Sequence, residues 1–145
     1  MTLGFIGTGA MTAAMVEGLG GEDILLSPRG AEVAAGLARR FPGVRVAADN
    51  QAVVDGSDMV VLAVRPQVAE AVIRPLRFRP GQRVVSLIAA TQIAALREWI
   101  GFDLPIIRAI PLPFAADRAS VTPIFPSDAD TAALFNRLGT ALPCR

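Results

Sequence analysis

Apolar and polar positions alternate along the chain in blocks that fit a repeating order of strand and helix. Short apolar runs bounded by glycine, proline or acidic residues predict buried strands. The continuous run at 58–64 (DMVVLAV) is typical of a central parallel strand that is covered on both faces. Strands are predicted at 3–6, 23–27, 44–47, 58–64, 83–88, 104–110 and 120–125, and another begins at 140.

Helical spacing fills the intervals between these strands. Helices are predicted at 10–19, 31–41, 50–56, 66–76, 91–100 and 128–138. Pro66 suits a first helical turn, Gly101 suits a helix end, and Ser127 or Asp128 suits an N-cap. The order predicts a doubly wound, Rossmann-type α/β domain over residues 1–145, with a mostly parallel sheet and helices on both faces.

A glycine-rich turn joins the first predicted strand to the first helix. Gly7 permits a tight turn, and Gly9 lets a phosphate approach the backbone. The amides at the start of the helix then face the anion, helped by the helix dipole. Thr12 occupies the sixth motif position, where a small residue usually packs, so we expect the helix to shift slightly off the strand. The turn predicts a dinucleotide site, with an ordinary strand–helix turn as the alternative.

The end of the second predicted strand indicates which dinucleotide binds. An acidic residue about 20 residues beyond the glycines would hold the ribose of NAD. The chain has Ser27 and Arg29 in this region and no carboxylate. A hydroxyl and a forked guanidinium suit a ribose 2′-phosphate, so NADP is predicted in preference to NAD. The alternative is a solvated surface arginine.

Three further loops are expected to line the same crevice, because the carboxyl ends of parallel strands meet at one edge of a sheet. They are residues 63–66, 89–91 and 110–113. Ala89 and Ala90 leave room for a nicotinamide ring, although alanines are equally at home in a core. Arg65 either contacts phosphate or is solvated.

Composition narrows the classes of function. With 145 residues, 52% of them hydrophobic, the chain predicts a globular domain with a sizeable core. A net charge of +1 argues against non-specific nucleic-acid binding. No apolar run approaches the roughly 18 residues of a membrane span, and neither a membrane segment nor a signal peptide is expected.

The residue types that are missing or rare also limit the chemistry. The chain has no histidine and no tyrosine, so a histidine-based triad or a zinc–histidine site is excluded. No metal site is predicted, and no side chain stands out as a proton donor, so no catalytic residue is assigned. The single cysteine, Cys144, favours a reducing cytoplasm.

Five segments of the chain resemble the N-terminal domain of the pyrroline-5-carboxylate reductase family, nearly from end to end and in register. They are GFIGTGAM at 4–11, DNQAVVDGSDMVVLAVRP at 49–66, SLIAATQIAALREWIG at 86–101, RAIP at 108–111 and LFNRLG at 134–139. The loop that reads AVRP after a buried strand is more specific to the family than the glycine turn.

The resemblance implies an NAD(P)H-dependent oxidoreductase of proline biosynthesis that reduces the C=N bond of a small cyclic imine, 1-pyrroline-5-carboxylate, to L-proline. It assigns the pyrophosphate to Gly7, Thr8, Gly9, Ala10 and Met11, and the 2′-phosphate to Ser27 and Arg29. It assigns the adenosine side to Asn50, the length of the cofactor to Ala63, Val64, Arg65 and Pro66, and the nicotinamide end to Ala89, Ala90 and Thr91.

The chain departs from the family pattern in two respects. Leu112 stands in a segment that usually reads Met-Pro-Asn-Thr-Pro, and Ser120 stands where a glycine is usual. The family's helical C-terminal domain, which dimerises and helps to build the substrate pocket, is absent from these residues. Two alternatives therefore stay open: another acceptor, as in a deazaflavin-dependent NADP reductase, and a non-catalytic NADP(H)-sensing module. Homo-oligomerisation is left open as well.

Overall fold

The computed structural model describes residues 1–7, 9–19, 22–28, 30–110, 120–126 and 128–143. Within these ranges the strands are β1 (Leu3–Ile6), β2 (Ile24–Leu26), β3 (Val44–Val46), β4 (Met59–Leu62), β5 (Arg83–Ser86), β6 (Ile106–Ala109), β7 (Ser120–Phe125) and β8 (Gly139–Pro143). The helices are α1 (Ala10–Leu19), α2 (Ala31–Arg40), α3 (Asn50–Asp55), α4 (Pro66–Ile73), α5 (Ile93–Ile100) and α6 (Ala129–Asn136).

All eight strands form one sheet in the order β3-β2-β1-β4-β5-β6-β7-β8. The pairs from β3 to β6 are parallel, β7 is antiparallel to β6, and β8 is parallel to β7. The chain runs outward from β1 to β3 on one side and restarts at β4 on the other. The sheet therefore reverses its strand order between β1 and β4, which is where ligands bind in folds of this kind.

The hydrophobic core lies on both faces of the sheet. Phe5 and Ile6, neighbours in β1, are fully buried on opposite faces. On the Phe5 face the core includes side chains of α1, α2 and α6, and on the Ile6 face it includes side chains of α3, α4 and α5. This arrangement confirms the predicted doubly wound, mostly parallel α/β fold.

Element ends differ from the predicted ones by a few residues. The predicted and observed bounds of α1 coincide, whereas α4 ends at Ile73 and not at 76. The predicted strand at 104–110 is shortened to β6, because only Ile106 to Ala109 pair with the neighbouring strands β5 and β7. Asp128 is the N-cap of α6, as one of the two predicted candidates, and its carboxylate accepts a hydrogen bond from the Thr131 amide at 2.9 Å. The other candidate, Ser127, lies outside the described residues.

None of the helices in the described part of the chain is long and apolar enough to cross a membrane.

Candidate functional site

The turn after β1 is a position that only glycine can occupy. Gly7 has a φ of +97°, which residues with a side chain rarely adopt. A Cβ atom added there would lie 2.5 Å from the carbonyl oxygen of Ala63, at the end of β4. The turn is therefore wedged against the neighbouring strand at the point where the strand order reverses.

Gly9 leaves open space beside the start of α1. Among the described residues, a Cβ atom added to Gly9 would meet no atom within 4 Å beyond its own chain neighbours. The carbonyl of Gly9 accepts the hydrogen bond of the Ala13 amide at 3.0 Å, so Gly9 directly precedes the helix. The amides of the first helical turn have no partner within the helix, and this turn contains no acidic residue. The start of α1 therefore presents N–H groups and the positive end of the helix dipole to that space.

Helix starts near the strand reversal differ from those elsewhere in the fold. Asp49 and Asp128 cap α3 and α6, and each carboxylate accepts a backbone amide hydrogen bond. The helices α4 and α5, like α1, have no acidic residue in the first turn, and neither has a side-chain cap. Three neighbouring helix starts are thus left without a carboxylate that would compete with a bound anion.

Two buried hydroxyl groups hold the glycine turn. The Gly7 amide donates to Ser27 Oγ at 2.9 Å, and Thr12 Oγ1 donates to the Gly7 carbonyl at 2.7 Å. Ser27 and Thr12 are 0% and 1% exposed. Thr12, the irregular residue of the motif, is therefore accommodated between helix and turn by its own hydrogen bond.

The loops after β4 and β5 lie at the same edge. Ala63 and Val64 are half-buried, while Arg65 and Pro66 are exposed at the start of α4. The ion pairs among the described residues do not include Arg65. The contact of Arg65 with a phosphate stays a prediction.

Ala89 and Ala90 are exposed, which contradicts the alternative that they are core residues. Ala90 has a φ of +53°, a left-handed conformation that costs energy for any residue with a Cβ. Thr91 is 6% exposed, and its hydroxyl donates to the Ala89 carbonyl at 3.0 Å. Such strain is found where the surrounding structure fixes a loop for a task.

A shallow apolar cavity of about 180 Å³ lies between the first turn of α1 and the residues that follow β4, β5 and β6. It is lined by Met11, Ala63, Val64, Leu87 and Ile110. Ile110 belongs to a loop that was predicted to line the crevice, whereas Leu87 was not among the predicted site residues. The available signal was the alternation of β5, since Val85 packs on the α1 face and Leu87, two residues on, packs there too.

Other predicted site residues lie apart from this cavity or outside the described ranges. Asn50 is the half-buried first residue of α3 and does not line the cavity. Ala10 is exposed in the first turn of α1. Thr8, Arg29 and Leu112 lie outside the described residues. Within the described ranges, no three acidic, cysteine or histidine side chains cluster as metal ligands.

The strand reversal, the glycine turn and the helix that starts at this turn together define the class of Rossmann-type dinucleotide-binding domains. The family model described as "NADP oxidoreductase coenzyme F420-dependent" matches residues 2–90. The chain belongs to this family of NAD(P)-dependent oxidoreductases.

The similar proteins and structures are named for a more specific activity than the family is. The chain is 32% identical to a pyrroline-5-carboxylate reductase of Pseudomonas aeruginosa, over 97% of this chain and 54% of that protein. The structure of 1-pyrroline-5-carboxylate reductase from Streptococcus pyogenes matches with a TM-score of 0.86 at 27% identity, over 100% of this chain and 58% of that one.

A pyrroline-5-carboxylate reductase from Coxiella burnetii matches with a TM-score of 0.87 at 25% identity, over 99% of this chain and 58% of that one. These matches confirm the resemblance drawn from the sequence. The chain spans about half the length of the curated relatives it matches.

Proposed function

We propose that residues 1–145 form the NADP(H)-binding domain of an oxidoreductase that reduces the C=N bond of 1-pyrroline-5-carboxylate to give L-proline. The observation that carries the proposal is the open space at Gly9, in front of a helix whose first turn has no acidic residue and beside the strand reversal. The substrate is inferred from the names of the similar proteins.

The residues of this chain fit a bound dinucleotide. The amides at the start of α1 would hold the pyrophosphate, and the apolar wall formed by Met11, Val64 and Ile110 would shield the ring from water. A bound reduced nicotinamide supplies the hydride. The site region offers no histidine or tyrosine as a proton donor, and a cyclic imine can arrive already protonated.

The preference for NADP over NAD is proposed to rest on Arg29. No carboxylate follows β2 to bind the ribose of NAD, and a guanidinium suits a 2′-phosphate. Arg29→Ala is expected to weaken NADPH binding about tenfold or more while leaving NADH binding nearly unchanged. Arg39→Ala, at an exposed position of α2, is the matched control and should change neither affinity.

The remaining half of the relatives' length is proposed to supply the polar contacts to the substrate and the main dimer interface. The described residues that line the cavity support this proposal, because Met11, Ala63, Val64, Leu87 and Ile110 are all apolar. The single cysteine of the chain fits a reducing compartment, and we place the domain in the cytoplasm.

Titration with NADPH and NADH, followed by the fluorescence of the reduced nicotinamide, tests the proposal. Saturable binding with tighter affinity for NADPH is expected, and absence of binding by both would overturn it. The protein expressed with all of its natural reading frame should oxidise NADPH in the presence of 1-pyrroline-5-carboxylate.

The family description favours a second candidate, a deazaflavin-dependent NADP reductase. Hydride exchange between NADPH and coenzyme F420, without turnover of the imine, would establish this second candidate in place of the first.

A further inference from the structure

Gly7 is held through both of its peptide groups. Its N–H donates to Ser27 Oγ at 2.9 Å, and its carbonyl accepts from Thr12 Oγ1 at 2.7 Å. The first bond restrains the peptide before Gly7, and the second restrains the peptide after it. Together they restrain both backbone dihedral angles of Gly7, which as a glycine could otherwise adopt a wide range of them.

The position of Ser27 is set by the pairing of β1 with β2. Phe5 is paired with Leu26, and the Ser27 amide donates to the Phe5 carbonyl at 3.1 Å. This register brings the residue after β2 beside the residues that end β1. The Ser27 side chain is completely buried there, so a ligand phosphate has no access to the hydroxyl in this conformation.

Thr12 links the same turn to the helix that faces the anion. It lies in the first turn of α1 and is 1% exposed. Its hydroxyl reaches back five residues to the Gly7 carbonyl, and this fixes the direction in which the helix leaves the turn. The amides that would meet the pyrophosphate belong to this first helical turn.

We propose that Ser27 and Thr12 are positioning residues that preorganise the glycine turn for the pyrophosphate, and that Ser27 acts through Gly7 without direct contact to the 2′-phosphate. The inference rests on the proposed dinucleotide function and changes the role of one of its residues. Because NADPH and NADH share the pyrophosphate, loss of either hydroxyl weakens both ligands equally. Of the two residues after β2 that were predicted to bind the 2′-phosphate, Ser27 and Arg29, only Arg29 then discriminates between NADPH and NADH.

Four variants test this division of roles. Ser27→Ala and Thr12→Val each remove one hydroxyl, Thr12→Ser keeps the hydroxyl, and Ser57→Ala is the control. Ser57 is also 0% exposed and donates a hydrogen bond, to the Val53 carbonyl at 2.6 Å, but it lies before β4 at the opposite edge of the sheet. The dissociation constants for NADPH and NADH are measured for each, together with the thermal midpoint.

Ser27→Ala and Thr12→Val are expected to raise both dissociation constants about tenfold and to leave their ratio unchanged. Thr12→Ser should restore the affinity, and Ser57→Ala should lower the thermal midpoint without changing either constant. A Ser27→Ala protein that loses affinity for NADPH only would overturn the proposal in favour of direct phosphate contact. Unchanged affinities in Thr12→Val would overturn the role of Thr12.

Amide hydrogen exchange of Gly7 in the ligand-free protein gives a second, independent readout. Ser27→Ala should accelerate exchange at Gly7 at least tenfold more than Ser57→Ala does. Equal rates in the two variants would overturn the proposed restraint of Gly7 by Ser27, independently of any ligand. If the unaltered protein binds neither dinucleotide while the Gly7 amide is protected from exchange, the proposed function is wrong but the restraint of Gly7 by Ser27 is supported.

Discussion

The two edges of the parallel sheet are built in opposite ways. At the amino edge, charged and amide side chains connect neighbouring elements: Asp23 with Thr2 and Arg45, and Arg83 with Asp128 and Asp130. At the ends of β1, β2 and β5, the described side-chain hydrogen bonds involve hydroxyl groups: those of Thr12 and Thr91 donate to backbone carbonyls, and those of Ser27 and Ser86 accept from backbone amides.

This difference separates the parts that hold the fold together from the parts that can receive a ligand. None of the ion pairs among the described residues involves the loops around the strand reversal. Those loops instead keep backbone amides and small side chains at the surface. No ion pair among the described residues would therefore have to break for a polar ligand to bind there.

The largest effect is expected from Gly7→Ala, which disrupts the turn at the carboxyl edge of the sheet, where the parallel strands end. A left-handed backbone costs a residue with a Cβ about 1–2 kcal/mol, and the overlap with the Ala63 carbonyl adds to it. The free energy of unfolding, measured by urea denaturation, should fall by more than about 2 kcal/mol, and NADPH binding should be lost. A variant of unchanged stability would show that the turn is not wedged against β4.

Gly9→Ala should separate binding from stability. The added methyl group meets no atom within 4 Å in the part of the chain that the structure describes, so the fold should be kept, but it occupies the space proposed for a phosphate. NADPH affinity is expected to fall about ten- to hundredfold with little change in the thermal midpoint.

Gly36→Ala, in the middle of α2, is the matched control for Gly9→Ala because its Cβ is equally unobstructed. It should stabilise the fold by about 0.5–1 kcal/mol without changing affinity. Equal affinities in the two glycine variants would remove Gly9 from the proposed site.

Gln82→Ala should affect the amino edge alone. Gln82 is 2% exposed, and its amide donates to the carbonyls of Val54 and Ser57 at 2.6 and 2.9 Å. Its loss should lower the free energy of unfolding by about 1–3 kcal/mol, since two buried carbonyls lose a partner. Chemical denaturation measures the loss, and NADPH affinity should be unchanged.

Gln51, which makes similar bonds to the backbone of Arg77 at more exposed positions, supplies the control for Gln82. Gln51→Ala should cost less than Gln82→Ala, and a larger cost would contradict the importance of burial. A change of affinity in Gln82→Ala would show that the two edges are coupled.

Ala90→Gly tests whether the loop after β5 is strained. Glycine removes the left-handed penalty of about 1–2 kcal/mol but makes the unfolded chain more flexible, so a net gain of up to about 1 kcal/mol is expected. The thermal midpoint should rise slightly. A fall would mean that the Ala90 methyl makes contacts that outweigh its backbone conformation.

The smallest effect is expected on the pKa of Asp23 and on stability at low pH. A hydrogen bond from Thr2, then one from Arg45, lowers the pKa of Asp23 below its ordinary value of 3.8. Because the folded-state pKa is depressed, the contribution of Asp23 to stability is present above its ordinary pKa and is lost as the pH falls through the lower value. In an NMR titration Thr2→Val should raise the pKa of Asp23, and Thr2→Ser should leave it low.

The sequence predicted most of the elements because their apolar periodicity is strong. The run at 58–64 contains β4, and α1 has the predicted bounds. Shorter strands were predicted too long, since the ends of a strand depend on where its partner stops pairing. The antiparallel direction of β7 also depends on pairing with β6, which no local pattern of residues encodes.

The site shows the same division. Gly7 and Gly9 could be predicted from the glycine-rich motif, because their spacing reflects the backbone conformation that the turn after β1 requires. The hydrogen bond from Gly7 to Ser27, 20 residues away, could not be foreseen, because it depends on the register of β1 and β2. The sequence pointed to Ser27 as a phosphate ligand, and burial in the structure favours a positioning role.

The sequence by itself determined the order of strands and helices, the glycine turn and the absence of histidine and tyrosine chemistry. Those are properties of neighbouring residues and of composition. Only the tertiary structure decided which edge of the sheet is fastened by charges, which hydroxyls hold Gly7, and that Ala89 and Ala90 face solvent. Those properties arise from the strand order, which brings together residues far apart in the chain and selects which of their polar groups are buried.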